Sequence, residues 1–251
     1  MDVNQSDTRL RAQVVPASRG ALWLVEGWRI FRAAPLGWMA VVFAYLVLVM
    51  LAWSIPIAGV AAAAIFTPSF SVSFMAVARA ASRGAPIGLP LLLDGFKLGL
   101  RPQLALGVIY LACVAAIFGV TSFFLGEVPG ADAHRSEDSG GGLAWIAVLY
   151  VPVMMMFWFA PTLAAWHTAG VAKALFFSFL AYLMNWRAFL AYGAVTAVAI
   201  FGLTAVVVLL ARLISPEIPP ASLALPMFIA VFPTLSGSYY ASYRDIFGRP
   251  A

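Results

Sequence analysis

Charged side chains are scarce in this sequence. Fifteen Lys and Arg with ten Asp and Glu make up 10% of the 251 residues, against about 25% in an average soluble domain. So few charges cannot cover the surface of a water-soluble chain of this length, and 63% of the residues are apolar. Hydrocarbon must therefore cover much of it. Cysteine is nearly absent. Cys113 stands alone in an apolar run, which excludes an intrachain disulfide and suits a small packing residue. A removable leader is not legible either: five arginines interrupt the first 35 residues, and the first apolar stretch is too long for a leader's core. The mature protein is expected to be the whole chain.

Charge is also missing from particular places. No Asp, Glu, Lys, Arg or His occurs between Arg32 and Arg79, which leaves room for two spans of the roughly 20 residues that a bilayer core requires. The uncharged turn Ser54-Ile55-Pro56 divides them. The same reasoning along the chain predicts an all-α polytopic membrane protein with spans at 36–54, 57–78, 104–125, 143–166, 188–211 and 222–243. Their interiors carry no acid or base, so the proton relays and charged ion paths of many transporters are excluded. No serine–histidine pairing, paired carboxylates or metal-ligand spacing falls at membrane depth. No catalytic residue, metal or cofactor is expected. His167, at the end of the fourth span, reads as an interfacial side chain.

The loops sort by charge. One side holds Arg9, Arg11, Arg19, Arg29 and Arg32, then Arg79, Arg83, Lys97 and Arg101, then Lys173 and Arg187, and finally Arg244 and Arg249. The other side holds only Arg135 and Arg212 among the bases. This bias predicts both termini in the cytoplasm. The bases form no single patch, which argues against nucleic acid. A flexible N-terminus over 1–18, one membrane domain over 19–247, a polar outer loop over 127–142 and a short tail over 248–251 complete the expected layout. His134, Asp132, Glu137 and Asp138 in that loop lack metal-ligand spacing and read as solvated. Asp245 and Arg244, just past the sixth span, suit a stabilising ion cluster with the repeated cytoplasmic bases.

A repeat runs through the spans. Glu26-Gly27-Trp28-Arg29, Asp94-Gly95-Phe96-Lys97 and Met184-Asn185-Trp186-Arg187 precede the odd spans, each an aromatic followed by a base. They predict amphipathic helices at the cytoplasmic interface, with Trp28, Phe96 and Trp186 at headgroup level. Arg29, Arg32, Lys97, Arg101, Arg187, Arg79 and Arg244 would face anionic lipid. The even spans carry Pro68-Ser69-Phe70, Pro161-Thr162-Leu163 and Pro233-Thr234-Leu235. The next base follows 11 or 12 positions later, about 17 Å along a helix and near the bilayer midplane. The unit is thus an interfacial helix, a plain helix and a proline-broken helix, three times over in one orientation.

Each proline frees the carbonyl four residues earlier, here Ala64, Phe157 and Ile229. In lipid that group needs a protein or water partner. Three kinks at one depth would ring a polar centre of Pro68, Ser69, Ser71, Pro161, Thr162, Pro233, Thr234 and Ser236, with Ser73, Ser238 and Tyr239 beside it. Bending and close packing of helices account for the same residues without a ligand.

The strings Gly27-Trp28-Arg29-Ile30-Phe31-Arg32 with Pro35-Leu36, Lys173-Ala174-Leu175-Phe176-Phe177-Ser178-Phe179 with Asn185-Trp186-Arg187-Ala188-Phe189, and Ser242-Tyr243-Arg244-Asp245-Ile246-Phe247 resemble an uncharacterised family of bacterial six-helix inner-membrane proteins. The resemblance covers nearly the whole chain after about residue 18. More distantly, the chain is similar to membrane domains attached to glycerophosphodiester phosphodiesterases, where the membrane part is not catalytic. The resemblance implies a bacterial inner membrane and the six-helix fold, and carries no functional residue with it. Two functions follow as expectations. One is a non-enzymatic scaffold or accessory subunit, contacting anionic lipid of the cytoplasmic leaflet and another membrane protein. The other is a passive or facilitated transporter of a small neutral or amphipathic solute through the threefold centre.

Overall fold

A backbone in hydrocarbon satisfies its own polar groups only as helix or closed barrel, and the apolar runs of this chain become helices. The structure, a computed structural model, describes residues 11–125, 140–215, 217 and 219–248. Among them the regular elements are all helical: α1 (Ser18–Ala33), α2 (Pro35–Trp53), α3 (Ala58–Ser82), α4 (Asp94–Lys97), α5 (Leu100–Leu125), α6 (Gly140–Phe157), α7 (Ala160–Trp166), α8 (Val171–Met184), α9 (Trp186–Ile214) and α10 (Ala224–Phe247). Short 3-10 turns at Leu89–Leu93 and Pro220–Leu223 lead into α4 and α10.

Five helices are long and apolar enough to cross a membrane: Pro35–Trp53, Ala58–Ser82, Leu100–Phe124, Trp145–Trp166 and Trp186–Ile214. They fall on the first five predicted spans. Helix α10 covers the sixth but is not among them. Its continuous apolar part, 224–235, is about 18 Å long, short of the roughly 30 Å of hydrocarbon. Ser, Gly, Tyr and the Arg244-Asp245 pair occupy much of the remainder.

Two sequence expectations change. Pro68 and Pro233 lie inside the continuous helices α3 and α10, whereas at Pro161 the helix breaks, with α6 ending at Phe157 and α7 starting at Ala160. The three proline-broken helices are therefore one. The amphipathic segments also differ: α1 and α8 are helices of 16 and 14 residues, but the middle one is a 3-10 turn followed by the single turn α4. None stands apart from the bundle. The middle segment packs on α3, α8 on α6 and α7, and α1 between α9 and α10.

Glycine makes these dockings close. A Cβ on Gly27 would lie 2.2 Å from the Thr234 carbonyl oxygen, and one on Gly95 1.8 Å from that of Ser69. Thr234 and Ser69 each lie 13 residues before the ends of α10 and α3, about 20 Å inward. The aromatic–basic turns and the prolines thus share one level, so headgroup depth for the turns and midplane depth for the prolines exclude each other.

The N-terminal segment is tied down before α1 begins. Gln13 N donates to Ile246 O at 2.8 Å, Val15 N donates to Asn185 Oδ1 at 2.8 Å, and Asn185 Nδ2 donates to Gln13 O at 3.0 Å. The flexible terminus expected over 1–18 does not extend through these residues; residues 1–10 lie outside the described residues, as do 126–139 of the outer-loop region and 249–251 of the tail.

Candidate functional site

The break at Pro161 is where backbone most needs partners, and side chains of three other helices supply them. Ser178 of α8 accepts a hydrogen bond from Phe159 N at 2.9 Å and donates to Met155 O at 2.9 Å. Tyr239 of α10 donates to Trp158 O. Gln103, fully buried on α5, donates from Nε2 to Pro161 O at 2.8 Å. The Thr162 and Tyr239 hydroxyls lie 3.2 Å apart. Removing Ser178 strands both of its backbone partners, so Ser178→Ala is expected to cost about 1–3 kcal/mol in chemical or thermal unfolding.

Beside the break lies a cavity of about 380 Å³, lined by Thr67, Pro68 and Ser71 of α3, Tyr110 of α5, Tyr150, Met154 and Phe157 of α6, and Trp158, Pro161 and Tyr239. The Tyr110 and Tyr150 hydroxyls are 2.8 Å apart. No charged side chain lines it. Such a wall offers hydroxyl donors and acceptors to a neutral molecule. Among the described residues no group of three or more His, Cys, Asp or Glu could hold a metal ion.

The predicted polar centre is divided. Pro68, Ser71 and Pro161 reach this cavity, and Thr162 adjoins it through Tyr239. Ser69 is buried with its carbonyl against Gly95; Thr234 lines a separate groove with its carbonyl against Gly27. Pro233 is buried within α10, and Ser236 donates to Phe232 O of its own helix at 2.9 Å. The physical reason is helical rotation: the residue after a proline is turned about 100° from it, toward the docked glycine instead of the centre.

The predicted interface residues divide too. Trp28, Arg29, Arg32, Lys97, Arg101, Trp186 and Arg187 are exposed, and Phe96 is half-buried against Phe66 and Phe70. Arg79 and Arg244 turn inward. The Arg79 guanidinium lies 4.8 Å from the Trp166 ring, and Arg244 pairs with Glu26. Glu26 also takes Arg19 at 2.8 Å, while Asp245 accepts from Arg19 Nε at 2.7 Å and from Trp23 Nε1 at 2.9 Å. Arg244 and Asp245, expected to pair with the repeated cytoplasmic bases, meet Glu26 and Arg19 of α1 instead. Nearby, His167 Nε2 and the Tyr243 hydroxyl are 2.6 Å apart, and burial lowers the His167 pKa, which favours neutral imidazole. Gln103 escaped the sequence reading, and so did the part that Ser178 plays at the break. Their signal was a polar side chain at the edge of, or within, an apolar run, where a buried partner is required.

Five helices long and apolar enough to cross a membrane, packed into one bundle, define a polytopic helical integral membrane protein. Over 250 residues, 93% of each chain, it is 33% identical to a probable inner membrane protein of Burkholderia thailandensis. The chain belongs to that protein's family. No family model matches the sequence, and no solved structure matches it.

Proposed function

We propose that this protein is a non-enzymatic scaffold or accessory subunit of the bacterial inner membrane, held by anionic lipid and offering its outer helices to another membrane protein. The observation that carries this reading is the use of its interior polar groups. Ser73, Ser178, Gln103 and Tyr239 each bond a backbone carbonyl of another element, so they hold the bundle together instead of waiting for a solute.

In this reading the chain crosses six times as three similarly oriented hairpins, α2–α3, α5–α6/α7 and α9–α10, with both termini in the cytoplasm. The cyclic docking supports it: each amphipathic segment packs on the hairpin before it, and α1 closes the ring on the last hairpin. The exposed Arg29, Lys97 and Arg187 supply the anionic-lipid contacts of this reading.

Facilitated passage of a small neutral solute is the second reading, favoured by the 380 Å³ cavity beside Tyr110 and Tyr150. Reconstitution into liposomes separates the two. Glycerol or urea uptake followed by light scattering is expected to match protein-free vesicles. Uptake well above them, lost in a folded Tyr110→Phe/Tyr150→Phe variant, would overturn the scaffold in favour of transport.

A further inference from the structure

Two of the aromatic–basic turns roof apolar grooves. Leu24, Val25 and Trp28 cover a groove of about 470 Å³ between 196–203 of α9 and 230–235 of α10. Leu92, Leu93 and Phe96 cover one of about 600 Å³ between 45–53 of α2 and 60–70 of α3. The roofs correspond residue for residue: Leu24 with Leu92, Val25 with Leu93, Trp28 with Phe96, each interrupted by an acid and the docked glycine, Glu26-Gly27 or Asp94-Gly95. Both volumes fall in the range of roughly 300–1,000 Å³ typical of small-molecule sites. No charged residue lines either groove.

Bases stand beside each roof. Arg29 and Arg32 follow Trp28, and Arg32 lies one turn on along the same helix face. Lys97 and Arg101 follow Phe96. All four are exposed. Lys97 has only a 3.8 Å contact with Asp94, and Arg29, Arg32 and Arg101 have no ion-pair partner among the described residues.

We propose that each groove seats one acyl chain of an anionic phospholipid, with its phosphate at the adjacent pair of bases. The assignment rests on the proposed reading that the bases of these turns meet anionic lipid. An uncharged groove suits an acyl chain, and a pair of cations following its roof suits a negative headgroup. A helix of another protein seated there would leave those cations without counter-charge. The same combination occurring twice, on different helices, argues for a built feature instead of a packing gap.

The test uses the full-length protein in mild detergent, with retained lipid identified and counted by native mass spectrometry. Phosphatidylglycerol and phosphatidylcholine are then added back in competition. Ala199→Phe fills the α9/α10 groove and Ala63→Phe the α2/α3 groove, since both alanines line the walls. Wild type is expected to hold one anionic phospholipid per groove and each phenylalanine variant one fewer, with cooperative thermal unfolding retained. Arg29→Gln/Arg32→Gln and Lys97→Gln/Arg101→Gln should each reduce the preference for phosphatidylglycerol by roughly thirtyfold. Equal retention of the two lipids, unchanged lipid counts in both phenylalanine variants, or a protein found in place of lipid would overturn the proposal. Solute flux in liposomes, which ends the scaffold reading, leaves these lipid counts unaffected, so the two failures are distinguishable.

Discussion

Gly27→Ala is expected to destabilise the protein by about 3 kcal/mol, the upper end of what overpacking a well-packed site costs. The added Cβ would sit 2.2 Å from Thr234 O and 2.5 Å from Ser238 N. Both are backbone atoms of α10, so no rotamer change relieves the clash and α1 must move bodily. Moving α1 loosens the fully buried Trp23 and the ion cluster with it. The control lies in the same protein: Gly193 and Gly202 of α9 have no atom within 4 Å of an added Cβ. Alanine at either is expected to stabilise by about 0.5–1 kcal/mol, because glycine is a poor residue in a helix interior. Thermal unfolding in detergent, followed by circular dichroism, reads all three. A Gly27→Ala protein as stable as Gly193→Ala would mean that α1 does not seat between α9 and α10.

Glu26→Gln carries the second large effect. Glu26 bonds both Arg19 and Arg244 with 18% of its side chain exposed. Neutralising it leaves two bases facing Asp245 alone. Breaking a fully buried pair costs about 3–5 kcal/mol; the exposure of Arg19 and Arg244, 30% and 25%, screens part of this and brings the expectation to about 2 kcal/mol. Arg244→Gln introduced into the Glu26→Gln background should cost much less than in wild type, since its partner is already gone. A double-mutant cycle that is additive would show that the two do not interact.

The long-range half of the cluster was the harder part to read. Arg244 and Asp245 announce themselves as a charged pair after an apolar run, but their partners Arg19 and Glu26 lie more than two hundred residues away. Span positions were legible because hydropathy and length act locally: α2, α3, α5 and α9 fall within a few residues of expectation. The shared level of the prolines and the aromatic–basic turns was not. Counting residues from Pro233 to Arg244 assumed that the base marks the membrane edge, whereas Arg244 is held by Glu26 inside the protein. Gly27 and Gly95 stood out as small residues before an aromatic. What they touch depends on how helices meet across the bundle, which no local period records. The same holds for Ser69 and Thr234: a shared proline motif fixes a turn of helix, not the direction in which the next side chain points.

The seat of α1 has a consequence for synthesis. Trp23 and Asp245, joined by a hydrogen bond, are 222 residues apart, so the first helix made docks on the last. At ~5–20 residues per second, α1 waits roughly 10–40 s for its binding partners to be translated. Throughout that interval it is a short basic amphipathic helix with an unfilled tryptophan face. In the proposed topology its station is the membrane surface, and its insertion between α9 and α10 is then expected to be the closing event of assembly.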